Sequence, residues 1–127
     1  GEVQLYFSTV PAALVQAKAG RLRAIATTGQ KRSRAFSDLP TLVESGLAGY
    51  DVTVWFGMLA PKGTAQEIID LLHRKSAQVM RNDSVLNRLL GEGVEPIASS
   101  PAQFRLQIST ETVKWGEVIR SANIKAN

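Results

Sequence analysis

Cysteine is absent from the 127 residues, and histidine occurs once, as His73. Without cysteine there are no disulfides and no thiolate chemistry, and the redox compartment is left open. With a single histidine and scattered acids, no cluster has the composition of a metal site. No apolar run approaches the roughly 20 residues that a membrane-spanning helix needs. Neither a dinucleotide-binding glycine fingerprint nor a phosphate-binding P-loop occurs. Aromatic residues are scarce at 6%, and the basic residues are spread along the chain. Nucleic-acid binding normally needs a long basic face or interleaved aromatics. The densest basic run, Lys31-Arg32-Ser33-Arg34, lies in a polar stretch and reads as a solvated connector.

What is present suits a globular chain: 44% hydrophobic and 20% charged residues, enough to supply a core. The net charge of +4 fits attraction of a small anion, or solubility alone. The chain opens on Gly1 and passes at once into strand-like "EVQLYF", with no leader or initiating methionine. This reads as a start in mid-protein or as a tag remnant before a natural start.

Alternation of apolar residues and turn signals predicts strands at 2–7, at "RLRAIATT" (21–28) and across 52–60. Between the first two, Pro11 and Gly20 bracket a helix. "PTLVESG" (40–46) has the signals of a two-turn helix. Thr64 and Glu67 have capping-box spacing before a helix over 65–81. Asp83 reads as the cap of a short helix, and Ser100, Pro101 and Gln103 open a last helix reaching about Ala122. Its Phe104, Ile108, Trp115 and Ile119 form one apolar stripe, as do Ile68, Leu72 and Val79 on the helix before. Strands alternating with helices predict an α/β sheet. The segment "GYDVTVWFGMLAPKGT" is apolar on both faces, as for a covered central strand or one passing between packing units.

Chemistry-bearing groups are few. His73 has no nucleophile or orienting carboxylate placed beside it and reads as an ordinary helix histidine. "FSTVPAAL" (7–14) is more suggestive, because a strand there runs into a helix start. First-turn amides lack intrahelical partners, and the helix dipole favours an anion. Ser8 or Thr9 could join those amides around a carboxylate, or could simply cap the helix.

The stretches "GEVQLYFSTVPAAL", "KAGRLRAIATTGQKRS", "LPTLVESGLAGYDVTVWFGMLAPKGT", "LLGEGVEPIASSPAQF" and "KWGEVIRSANIKA" resemble, in order and spacing, the later part of Bug-type receptors. These are the extracytoplasmic solute-binding components of tripartite tricarboxylate transporters. The resemblance implies a two-domain, type II-like periplasmic-binding α/β fold, of which only the later part is present. It assigns 1–50 to the second domain, 51–60 to an interdomain crossing strand and 61–127 to helices and a strand that complete the first domain. It implies a periplasmic, non-enzymatic protein without cofactor or metal. Such a protein captures a small organic anion (a di- or tricarboxylate, an amino acid or a related carboxylate) in an interdomain cleft for membrane transporter subunits.

Ser8, Thr9, Val10 and Ala12 fall on the family's cleft loop, where Ser8 stands in place of a frequent acidic or amide residue. Trp55 and Phe56 fit cleft lining or plain core packing, and Gly57 fits a hinge. The alternatives are a protein–protein interaction module or a small α/β enzyme. If the 127 residues are the whole polypeptide, unpaired edges at 2–7 and 52–60 predict self-association.

Overall fold

The computed structural model describes residues 2–125. These residues form four α-helices, α1 (Val10–Lys18), α2 (Gln66–Met80), α3 (Asp83–Gly91) and α4 (Pro101–Ser121), with a 3-10 turn at Arg34–Phe36. The chain divides into two compact units, each assembled from two separate stretches. One comprises Gly1–Phe56 and Met80–Pro96, the other Gly57–Val79 and Ile97–Asn127.

In the first unit α1 begins as the proline signal predicts and ends in a Schellman motif. Gly20 takes φ +68°, its N–H donates to Ala17, and Arg21 N–H donates to Gln16. α3 closes the same way, with Gly93 at φ +78° and Val94 N–H donating to Leu89. Its cap is Asn82, whose side chain accepts from Ser84 N–H, and Asp83, predicted as the cap, is the first helical residue. The carboxylate still suits that end, because the helix dipole favours negative charge there. α3 packs on the 3-10 turn. Gly93 also lies under Val10, Leu14 and Ala35, and a Cβ built there would fall 2.8 Å from Val10 Cγ1. Both its backbone angle and its close neighbours therefore require glycine.

The predicted sheet is not formed among the described residues. A parallel bridge joins Thr27 to Thr41. Thr27 N–H donates to Pro40, Leu42 N–H to Thr27, and Val52 N–H to Thr28, each at 2.9 Å. These three segments come together, but no ladder grows from them. Among the described residues, 2–8 make no backbone–backbone hydrogen bond, and the first predicted strand is open chain. The strands predicted over 21–28 and 52–60 likewise lack ladders. The physical reason is that a strand exists only through a partner strand, which local propensity cannot supply.

The predicted two-turn helix at 40–46 is a single turn. Thr41 N–H donates to Glu44 Oε2 at 2.8 Å and Glu44 N–H donates to Thr41 Oγ1 at 3.0 Å, and Gly46 closes it at φ +103°. Thr41, 1% exposed, is the buried residue of the described chain.

In the second unit α4 has the predicted capping box. Ser100 Oγ accepts from Gln103 N–H, and Gln103 Oε1 accepts from Ser100 N–H. Its far end is a Schellman motif with Asn123 at φ +52°, and Ile124 N–H donates to Ile119. The box predicted at Thr64 and Glu67 does not form. Thr64 sits after the Lys62–Gly63 turn, and its hydroxyl donates to Pro61 at 2.8 Å. The stripes of α2 and α4 are present as faces, yet among the described residues no hydrophobic side chain is fully buried. The core that the composition predicts is thus not closed.

Candidate ligand-binding loop

Residues 2–9 are exposed open chain leading into α1. Thr9 is the N-cap, with extended backbone (φ −70°, ψ 150°), and its carbonyl accepts from Ala13 N–H at 2.9 Å. Its side chain makes no capping bond. Thr9 thus takes the cap position through its backbone alone. Val10 and Ala12 carry first-turn N–H groups with no intrahelical acceptor, while Pro11 between them has no N–H to satisfy. The first turn contains no acidic residue, and Lys18 occupies the last turn. Lys18 complements the negative end of the helix dipole, while the positive end has no carboxylate of its own.

The predicted residues fall as follows. Ser8, Thr9 and Ala12 are exposed, with hydroxyls on the first two. Val10 is half-buried and spends its side chain on Gly93. Its isopropyl group thus packs within the chain and fixes how α1 is held. Trp55, half-buried, and Phe56, exposed, lie at the end of the first stretch of the same unit. Gly57 opens the second unit, and a Cβ there would collide with the ring of Phe104. Glycine is needed at 57 for that close approach, and its φ is not positive. His73 lies half-buried on α2, with Nε2 3.4 Å from the Ala98 carbonyl.

Within the basic run, the Arg32 side chain is spent on structure. Arg32 Nε reaches both oxygens of Glu44, at 3.1 and 2.9 Å, and Nη1 donates to the Ser37 carbonyl. Ser33 Oγ accepts from Ala35 N–H, and Arg34 N–H donates to Glu95. The Thr41 N–H, then Arg32, hold the Glu44 carboxyl below its ordinary range. Among the described residues no cluster of three or more potential ligands could hold a metal ion, and no helix is long and apolar enough to cross a membrane.

Sequence reasoning missed one open hollow of about 540 Å³ in the second unit. It is lined by Gln66 of α2 and by Pro101, Ala102, Arg105, Leu106 and Ser109 of α4. It joins positions some 40 residues apart, and no local pattern marks it.

The chain is similar to several known proteins. "Protein BugT" of Bordetella pertussis is 33% identical over 125 residues, covering 98% of this chain and 38% of that protein. A "UPF0065 protein in gbd 5'region" of Cupriavidus necator is 37% identical over 100 residues, 79% of this chain and 30% of that protein. A "UPF0065 protein in tcbD-tcbE intergenic region" of a Pseudomonas species is 27% identical over 128 residues, 100% of this chain and 38% of that protein. The chain thus spans under two-fifths of the length of these relatives. The model of the family described as "Tripartite tricarboxylate transporter family receptor" matches residues 1–124, and the chain belongs to that family.

Proposed function

We propose that this chain forms part of a periplasmic receptor that captures a small carboxylated solute in an interdomain cleft and presents it to membrane transporter subunits. The loop Ser8–Ala12 contacts the carboxylate. The observation that carries this reading is the uncapped start of α1: Thr9 leaves the first-turn amides to another acceptor, and no acid competes for the place. Val10 and Ala12 donate through N–H, Ser8 and Thr9 through hydroxyls, and the helix dipole adds to the attraction. Trp55 and Phe56 line the apolar side of the solute. Gly57, at the junction of the two units along the chain, lies beside the hinge, with Phe104 fixing its backbone. Binding and release suffice for this role, and no bond-making step is assigned to any residue.

The test uses a receptor-length protein carrying this chain, with succinate, citrate and glutamate as probes in calorimetry. Ala12→Asp puts a like charge at the open amides. It should weaken whichever probe binds by about 1–3 kcal/mol, roughly tenfold or more. Unchanged affinity in a folded variant removes the carboxylate from this loop. Turnover of any probe would move the protein to the enzyme class.

A further inference from the structure

We infer that Gly93 is a positioning residue for the loop Ser8–Ala12: the closing turn of α3 is the seat that sets where the first turn of α1 presents its amides. The inference rests on the reading of that loop as a carboxylate site, and it brings the far stretch of the same unit into the control of its affinity. The first observation is closeness. A Cβ built on Gly93 would fall 2.8 Å from Val10 Cγ1, 3.5 Å from Ala35 Cβ and 3.7 Å from Leu14 Cδ2. The last two are ordinary contacts, whereas the first is shorter than packed carbon atoms allow. Val10 and Leu14 lie one turn apart on one face of α1, and all four residues are half-buried. The opening turn of α1 therefore rests on a spot where only glycine leaves room.

The second observation is which side gives way. Val10 is β-branched and has few χ1 positions, so relief by side-chain rotation is limited. The turn beneath it is tied down. Gly93 N–H donates to the Leu90 carbonyl at 3.0 Å and Val94 N–H to the Leu89 carbonyl at 2.8 Å. α3 packs on the 3-10 turn, and Arg34 N–H donates to Glu95 Oε1 at 3.0 Å. A Cβ at position 93 is therefore answered mainly by α1. The Thr9 carbonyl accepts from Ala13 N–H at 2.9 Å, which fastens the cap residue to the helix. A shift of Val10 thus carries Thr9 and the open amides with it. Hydrogen bonds weaken steeply with distance and misalignment, so such a shift alters every bond from the loop to a carboxylate at once.

The experiment is a double-mutant cycle between Val10 and Gly93 in a receptor-length protein carrying this chain. It is read by calorimetry with succinate, citrate and glutamate, and by the NMR shifts of the Ala12 and Ala13 amides. Gly93→Ala should weaken whichever probe binds by about tenfold and move both amides. In the Val10→Ala background no methyl stands in the way. There the same substitution should change affinity by less than about twofold and leave the amides in place. Alanine at φ +78° is strained in either background. Thermal melts should therefore fall equally in both, which separates strain from displacement. If Gly93→Ala does not fold, Gly93→Asn keeps the Cβ, tolerates the backbone angle and should give the same cycle. A folded variant with unmoved amides overturns the seat, as does a loss of affinity equal in both backgrounds. Amides that move while affinity stays, in a receptor that Ala12→Asp weakens, overturn the inference as well. If Ala12→Asp is itself without effect, the carboxylate reading fails, and the amide shifts alone uphold or overturn the seat.

Discussion

The longest regular element and the irregular stretch at 27–52 differ in a way that separates local order from burial. α4 runs for 21 residues, opens on a complete capping box and closes on a Schellman turn, yet buries no side chain. The stretch from Thr27 to Val52 contains a 3-10 turn, a bridge and the single turn at 41–46, and it holds the fully buried Thr41. A helix satisfies its own backbone and needs only good ends. An irregular segment has no such internal supply, so its polar groups must be paired one by one. Here that pairing joins Thr27 to Pro40 and Leu42, Thr41 to Glu44, and Thr28 to Val52.

The comparison breaks most readily at Thr41. Thr41→Val keeps the shape but leaves the Glu44 N–H without its acceptor. Loss of this part-buried hydrogen bond costs about 1 kcal/mol. Hydrogen exchange should accelerate across 40–47 and leave α4 unchanged. Equal acceleration in α4 would mean that the two regions open together. Ser100→Ala probes the other side. It removes half of the capping box and should cost about 1 kcal/mol, with faster exchange in the first turn of α4 alone.

The smallest effect is in pH dependence. Glu44 is held below its ordinary pKa by the Thr41 N–H and by Arg32. A carboxyl whose folded value is depressed stabilises the fold above its unfolded value. That contribution is lost as pH falls through the folded value. Glu44→Gln should therefore flatten the acid side of the stability profile, seen in thermal melts between neutral pH and the acid range. A profile of unchanged slope would show that the carboxylate is as well solvated unfolded as folded.

Legibility in the sequence follows the same division. The ends of α1 and α4 were readable because caps are local: Ser100 and Gln103 lie three apart, and Gly20 follows the C-cap of α1; at α3 the cap is Asn82, one residue before the expected Asp83. The T-x-x-E pattern shows where local reading stops. It occurs twice, at Thr41–Glu44 and Thr64–Glu67. The second is expected to be a box, but the Pro61 carbonyl takes the hydroxyl proton of Thr64. The first forms the reciprocal pair within a single turn. The expected strands form no ladder among the described residues, because pairing depends on distant chain. At the candidate loop, the polarity of Ser8 and Thr9 and the helix start were legible. The engagement of Val10 with Gly93, 83 positions away, was not, and neither was the idle hydroxyl of Thr9.

Each unit is interrupted in sequence by part of the other, and this has a consequence during synthesis. A ribosome that has delivered residue 79 has completed neither unit. The first still awaits α3 and the Gly93 turn that seats Val10, and the second awaits Phe104, which closes on Gly57. At roughly 5–20 residues per second, the uncharged stretches 3–17 and 52–61 stand outside the exit tunnel for seconds before their later partners exist. Such a nascent chain is a natural client for a holding chaperone, and a stop codon anywhere before Gly93 would leave both halves unfinished at once.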